Sequence, residues 1–399
     1  MKTINRSGII FSVLFLNVLF SSAIFLDSNG NKDVVDSMYI FPPQGKHVHS
    51  SSIVGLSNGD LLSCWFEGSG ERTANDVMIK GARLRKGKNT WSEPFLMADT
   101  PGLPDCNPIL FIDGKNRLQL IWIVVVGNEW EAGVLKTRIS TNYLNDEAPV
   151  WDWQDNIFLK PGHEFTQTLI EGFKELNTPE APWSTYAITY EDQLIEASKS
   201  AVKRETGWMP RIQPTTLPNG RILFPVYSDG FNLSMVAISD DQGDTWSPSL
   251  PIVGRGNVQP AIVCKKDGTL VAYMRDDGDY PGRIMISESN DNGYTWSVAR
   301  KSNILNPGSS VDVIALNNGR WAMVYNNDVD DRHNLAVSLS DDEGKTWKWT
   351  KYLEDNVNGS YGYPCMIQTK DGKIHISYSY QFNKEKTIKH VCFSEEWIK

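Results

Sequence analysis

One short pattern, met three times at nearly constant spacing, limits what this chain can fold into. It reads Ser239-Asp240-Asp241-Gln242-Gly243-Asp244-Thr245-Trp246, then Ser289-Asn290-Asp291-Asn292-Gly293-Tyr294-Thr295-Trp296, then Ser340-Asp341-Asp342-Glu343-Gly344-Lys345-Thr346-Trp347. The shared skeleton is S-x-D-x-G-x-T-W, and successive tryptophans lie 50 and 51 residues apart. A fixed period of this size marks a repeat architecture whose unit is too small to bury its own apolar face. Within the pattern the aspartate can turn back onto backbone N–H groups, and the glycine supplies a φ > 0 bend. The threonine is then expected to enter a strand, with the tryptophan covering the hairpin from the side.

A second repeat runs beside the first. Asn58-Gly59, Asp113-Gly114, Asn219-Gly220, Asp267-Gly268, Asn318-Gly319 and Asp371-Gly372 each separate two apolar runs, which is the strongest short hairpin signal. The S-x-D-x-G-x-T-W units resemble the Asp-boxes of sialidases and related β-propellers. The expected fold is therefore all-β, a sialidase-like propeller in which each hairpin is one blade interior. Six blades are favoured and seven are the alternative, because the interval between the hairpins at 113 and 219 is close to two periods. Glu171–Lys199 lacks the strand–turn–strand rhythm of a further blade. A helix is expected from Asp192 to Glu205, as surface decoration or as a wall over the central pocket. The run from His390 to Phe393 should close the ring beside an N-terminal strand.

Residues 1–23 read as a secretory signal, with Lys2 and Arg6 ahead of an apolar stretch from Ile9 to Phe20 and a small-residue Ser21-Ser22-Ala23 site. Residues 24–37 form an N-terminal tail and 38–399 one domain, exported to the periplasm or beyond the cell as a monomer with no membrane span. A formal net charge of −9 argues against nucleic acid, so an acidic ligand needs a local basic site. The five cysteines are odd in number and scattered; they read as small core hydrophobes rather than a disulfide framework. No metal-ligand spacing or cofactor motif is present.

Propeller sites lie at one mouth of the central channel, near the starts of inner strands. The residues preceding the hairpins are unusually polar there, among them His49, Asn107, Arg211, Gln259, Asp312 and Tyr363. The segment from Val258-Gln259-Pro260 to Arg275, followed by an Asp-box, resembles the sialidase N-E-P … R block. Asp331-Arg332-His333-Asn334-Leu335 resembles its R-x-N-L motif. By that resemblance Arg275 and Arg332 are two of three clamp arginines for a sugar carboxylate, and Tyr363 is the nucleophilic tyrosine. The pattern departs from the family in three places. Gln259 stands where the family has Glu, and an amide cannot take a proton from Tyr. His49, in Val48-His49-Ser50-Ser51, replaces the first clamp arginine of Y-R-I-P. The acid/base Asp has no counterpart, Glu71 being the nearest carboxylate.

The surviving groups suit another chemistry. Paired guanidiniums fit a planar carboxylate, and neutralising a uronate carboxylate acidifies the adjacent C5–H. Tyr363 can then act as base and His49, with the ordinary near-neutral pKa of histidine, as acid. That is β-elimination, as a polysaccharide lyase or a non-reducing-end dehydratase, with Arg211, Gln259, Arg275, Arg332, Asn107 and Asp312 binding an acidic oligosaccharide. The chain further resembles the propeller branch that contains an ulvan oligosaccharide dehydratase. Sialidase-type hydrolysis and a non-catalytic carbohydrate-binding propeller are the alternatives.

Overall fold

The computed structural model describes residues 24–26, 32–177 and 184–399; the signal expected at 1–23 lies outside them. Beside a two-stranded pairing of Ile24–Leu26 with Lys32–Val34, six antiparallel sheets of four or five strands follow one another along the chain. Blade one is His47–Gly55, Leu61–Gly68, Met78–Leu84 and Phe95–Ala98, and blade two is Asp105–Ile112, Leu118–Val126, Glu129–Ser140 and Trp153–Ile157. Blade three has a broken inner strand, Trp208–Pro210 and Thr215–Thr216, followed by Ile222–Ser228, Leu233–Ser239 and Ser247–Pro248. Blade four is Asn257–Cys264, Leu270–Asp276, Arg283–Ser289 and Arg300–Leu305, and blade five is Asp312–Ala315, Trp321–Tyr325, Asn334–Ser340 and Trp349–Asp355. Blade six, Gly359–Gln368, Ile374–Phe382 and Glu385–Phe393, takes its outer strand from Asp36–Tyr39, with His390 opposite Met38 and Cys392 opposite Asp36. The ring thus closes as the sequence suggests, and no blade edge of the last sheet is left unpaired at that seam.

The long interval holds no seventh blade. It completes blade two and then forms three helices, α1 (His163–Leu176), α2 (Ser184–Ser198) and α3 (Ala201–Glu205). The helical insertion therefore begins some thirty residues earlier than the sequence reading placed it. Phe165, Leu169 and Phe173 recur at helical spacing and bury one face of α1 with Trp208, Phe231 and Val253. Gly172 lets α1 approach blade three, since a Cβ there would stand 2.6 Å from Val253.

Each Asp-box joins the third strand of its blade to the fourth. In the first, Asp241 Oδ1 accepts from Thr245 N at 2.9 Å and Asp241 Oδ2 from Thr245 Oγ1 at 2.6 Å, while Ser239 Oγ accepts from Gly243 N at 2.7 Å. Asp291 and Asp342 repeat the arrangement. Two consecutive residues are left-handed in every box, as in Gln242 (φ 68°) and Gly243 (φ 83°). The threonine does not enter a strand, because both its backbone and hydroxyl donors are spent on the aspartate. The boxes also staple neighbouring blades. Gln242 Oε1 accepts from Gly114 N at 2.8 Å, Glu343 Oε1 accepts from Lys266 N at 2.7 Å, and Trp347 packs edge-on against Tyr273 of blade four.

Five of the six D/N-G turns have Gly at the left-handed position, φ 84–91°. Blade two differs: Asn116 (φ 58°) takes that place and donates to Asp113 O, so its turn sits two residues beyond Asp113-Gly114. All five cysteines are free thiols on strands. Among the described residues no helix is long and apolar enough to cross a membrane, and no group of three or more His, Cys, Asp or Glu could hold a metal ion.

Candidate active site

The mouth of the channel is shaped by a repeated irregularity. The inner strands of blades one, two, four and six each shift register where they reach it. At those bulges Ser50 (φ 56°), Asn107 (φ 50°), Gln259 (φ 57°) and Tyr363 (φ 53°) adopt the left-handed conformation. The last three precede Pro108, Pro260 and Pro364, and a residue before proline ordinarily stays extended. A bulge re-aims its side chain, and a non-glycine residue held this way costs about 1–3 kcal/mol, which clusters at functional sites. Proline, lacking an N–H, is tolerated at the bulge because the ladder is already broken there.

Tyr363 is the centre of the resulting constellation. Its hydroxyl oxygen accepts from Gln259 Nε2 at 3.2 Å and from Arg275 Nη1 at 3.1 Å. Both partners are N–H donors, so neither can take the tyrosine proton. The His49 ring lies 4.0 Å from the Tyr363 ring, centroid to centroid, and the Arg332 guanidinium 5.6 Å from it. Arg275 is held by Asp277 Oδ1 at 2.5 Å, and Arg332 donates to Gly308 O at 2.7 Å. Five residues from blades one, four, five and six therefore converge as the sequence suggests: His49, Gln259, Arg275, Arg332 and Tyr363.

Arg211 and Asp312 do not join them. Arg211 is 1% exposed, donates to Ser51 O at 3.3 Å and Pro364 O at 2.9 Å, and lies 4.9 Å beneath the Tyr363 ring. Asp312 is 2% exposed, accepts from Met366 N at 2.7 Å, and is pushed up to about 6 by burial, which backbone donors and Arg211 only partly offset. Neither lines the cavity expected for them as substrate-binding groups. Both lie at inner-strand starts, but Arg211 reaches across the channel to blades one and six beneath Tyr363, and Asp312 turns to the backbone of blade six.

The cavity has two lobes that share Glu71, Arg72, Arg275 and Tyr363. The first, about 650 Å³, is lined also by His47, His49, Arg332 and Lys386. The second, about 340 Å³, is lined by Asn107, Trp130, Tyr190, Tyr227 and Gln259 among others. Asn107 donates to Tyr227 Oη at 3.2 Å on the wall of that lobe, and Tyr190 brings α2 to its rim. Glu191 of the same helix meets Arg255 at 3.0 Å, tying the insertion to blade four.

Electrostatics does not favour the acid role assigned to His49. Burial pushes its imidazole down, Glu71 pulls it up, and Arg332, His47 and Arg211 press it down again, to about 3. It is a neutral ring at neutral pH, not the near-neutral titrating group the sequence implied. Glu71 is the opposite case. Burial raises it, but the His47 hydrogen bond and the charges of His49, His47 and Arg72 outweigh this and hold it at about 2. His47 Nε2 stands 3.0 Å from Glu71, and the Lys386 ammonium can only donate to His47 Nδ1, 3.0 Å away.

Sequence reasoning missed Arg72, Tyr227 and Lys386. It inspected the starts of inner strands, whereas Tyr227 and Arg275 sit at the ends of second strands, which reach the same mouth. That antiparallel complement was a usable signal. Arg72 has φ 63°, lies 4.3 Å over the Trp130 ring and donates to Asp229 at 2.6 Å; nothing local in the sequence announces this.

Comparison with known proteins fits the architecture. The family model for the BNR repeat-like domain matches residues 59–176 and 201–376. The chain belongs to that family. It is 27% identical over 179 residues to an anhydrosialidase of Macrobdella decora, covering 40% of this chain and 23% of that protein. It is 23% identical over 339 residues to a sialidase of Bacteroides fragilis, covering 80% of this chain and 56% of that protein. The chain thus spans 23% of the first of these relatives and 56% of the second. Among solved structures, the NanB sialidase from Streptococcus pneumoniae superposes with a TM-score of 0.67 at 14% identity, over 93% of this chain and 72% of that one. At such identity the likeness establishes the sialidase-like six-bladed propeller and no more.

Proposed function

We propose that this BNR-family propeller is an exported enzyme acting on uronate-containing oligosaccharides by β-elimination. The observation that carries the reading is the Tyr363 oxygen, which faces an amide at 3.2 Å and a guanidinium at 3.1 Å. A double-displacement hydrolase needs a carboxylate at the Gln259 position to take the tyrosine proton. Two N–H donors instead suit an oxygen that acts as a base. In the proposed reaction Arg275 and Arg332 hold the uronate carboxylate, and deprotonated Tyr363 takes the C5 proton. The C5–H electrons form the C4–C5 double bond and the C4–O bond breaks. With His49 neutral and Glu71 ionised, Tyr363 itself is the available proton source and returns the C5 proton to the departing oxygen. His49 packs against the tyrosine ring and positions it. A glycosidic departing oxygen makes the enzyme a lyase, a free 4-hydroxyl a dehydratase, including one within ulvan breakdown.

Sialidase-type hydrolysis is the second reading. It is favoured by the names of the relatives and by the Glu71 carboxylate in the first lobe. Ultraviolet absorbance during incubation with uronate oligosaccharides, and sialic-acid release from sialyl-lactose in parallel, distinguish the two. Elimination produces the absorbance of a conjugated unsaturated uronate and no sialic acid. Released sialic acid with flat absorbance contradicts it.

A further inference from the structure

The two lobes differ in charge. The first has Arg332 and Lys386 to itself, beside the shared Arg72 and Arg275, against the single carboxylate Glu71. The second shares Arg72 and Arg275 but adds Glu131, Asp229 and Asp277 to Glu71. The two shared arginines are paired with carboxylates of the second lobe, Arg72 with Asp229 at 2.6 Å and Arg275 with Asp277 at 2.5 Å, so the excess positive charge of the first lobe comes from Arg332 and Lys386. An acidic sugar is therefore drawn to the first lobe and disfavoured in the second. The second lobe instead offers hydroxyl-binding groups, Asn107, Tyr227 and Gln259, with the ring of Tyr190 at its rim. Tyr363 stands at the junction, so a saccharide that spans both lobes presents the bond between its units to that side chain.

From this division we infer that the second lobe is a subsite for an uncharged, hydroxyl-rich sugar adjoining the uronate. The substrate class is then a mixed oligosaccharide, a uronate at the first lobe linked to a neutral unit at the second, and not a run of consecutive uronates. The inference rests on the acidic-sugar reading of the first lobe, but it concerns recognition and can be read without turnover. The helical insertion also gains a purpose, since α2 supplies Tyr190 to the lining of that lobe.

The experiment uses titration calorimetry on the full chain carrying Tyr363→Phe, so that no ligand is consumed. The probes are methyl glucuronide, a disaccharide of glucuronate linked to a neutral hexose, and a diuronide. The mixed disaccharide should bind about ten-fold more tightly than the monosaccharide, equivalent to one well-placed aromatic and hydroxyl contact. The diuronide should gain nothing over the monosaccharide. Tyr190→Ala should reduce the ratio of mixed disaccharide to monosaccharide affinity several-fold, and Tyr190→Phe should preserve most of it. Glu131→Gln, an exposed change, should narrow the gap between mixed disaccharide and diuronide. Equal binding of the two disaccharides, or ratios unmoved by Tyr190→Ala and Glu131→Gln, would overturn the subsite while leaving elimination standing. Preserved ratios with no unsaturated product from the unmutated enzyme would sink elimination and leave the subsite. Failure of all three probes to bind overturns both.

Discussion

Arg332 shows how much rests on one side chain at this mouth. Its guanidinium donates to Gly308 O and faces the Tyr363 ring, which leaves the remaining fork for a carboxylate. Arg332→Ala should lower kcat/KM on acidic saccharide by about 3 kcal/mol, in the range for removing one partner of a desolvated charge pair. Arg332→Lys should restore only part, because an ammonium lacks the planar fork. Unchanged kcat/KM in the alanine variant would remove Arg332 from the clamp. Gln259→Glu separates the two chemistries. A carboxylate 3.2 Å from the tyrosine oxygen would repel a base there and compete for Arg275. Elimination should therefore fall, whereas a latent hydrolase should gain activity on sialosides. Steady-state rates on both substrate types decide it.

At the scale of elements, the Asp-boxes and the turns were written plainly in the sequence. S-x-D-x-G-x-T-W has only local requirements, two left-handed residues and a carboxylate facing two donors of Thr245, Thr295 or Thr346. Asn-Gly and Asp-Gly turns are equally local. Blade two is instructive, because Asp113-Gly114 looked like the turn while Asn116 provides it. The helices were harder to place. Phe165, Leu169 and Phe173 keep helical spacing, yet α1 is stable only because Trp208 and Phe231 cover that face, and such coverage is invisible in one segment. The site divides along the same line. Arg275, Arg332 and Tyr363 stand in local motifs and line the cavity, whereas the burial of Arg211 and Asp312 depends on the whole ring. Trp347→Ala tests the stapling role of the boxes. Losing the ring against Tyr273 should cost about 3 kcal/mol of stability, measured by denaturant unfolding, with kcat of the folded fraction nearly unchanged.

The whole molecule carries a pH signature. Three histidines are depressed by burial: His49 to about 3, His375 to about 4 and His390, with His375 beside it, to about 3. Unfolded histidine binds its proton near pH 6.5, so below that value the unfolded chain holds more protons than the fold. Stability should fall as the pH drops from about 7 towards 4, by up to about 1.4 kcal/mol per pH unit for each histidine. Asp312 works in the opposite sense. Its folded value is raised to about 6, so it favours the fold at low pH and loses that contribution as the pH rises through 6. The histidines outnumber it, and the net slope should be downward towards acid. His375 and His390 are 3.1 Å apart in blade six, where His390 pairs with Met38 of the closing strand. Replacing both with asparagine should flatten the slope in denaturant titrations, whatever it does to absolute stability. An undiminished slope would place the acid sensitivity elsewhere.

Elimination at Tyr363 adds no water molecule across the bond that breaks. Incubating the enzyme with a uronate oligosaccharide in water labelled with the heavy oxygen isotope, and weighing the fresh products by mass spectrometry, reads this directly. Elimination yields an unsaturated uronate product with no label at the site of cleavage or dehydration, and Tyr363→Phe yields no product. Saturated products carrying the label at a newly released anomeric carbon would mean hydrolysis and would rule elimination out.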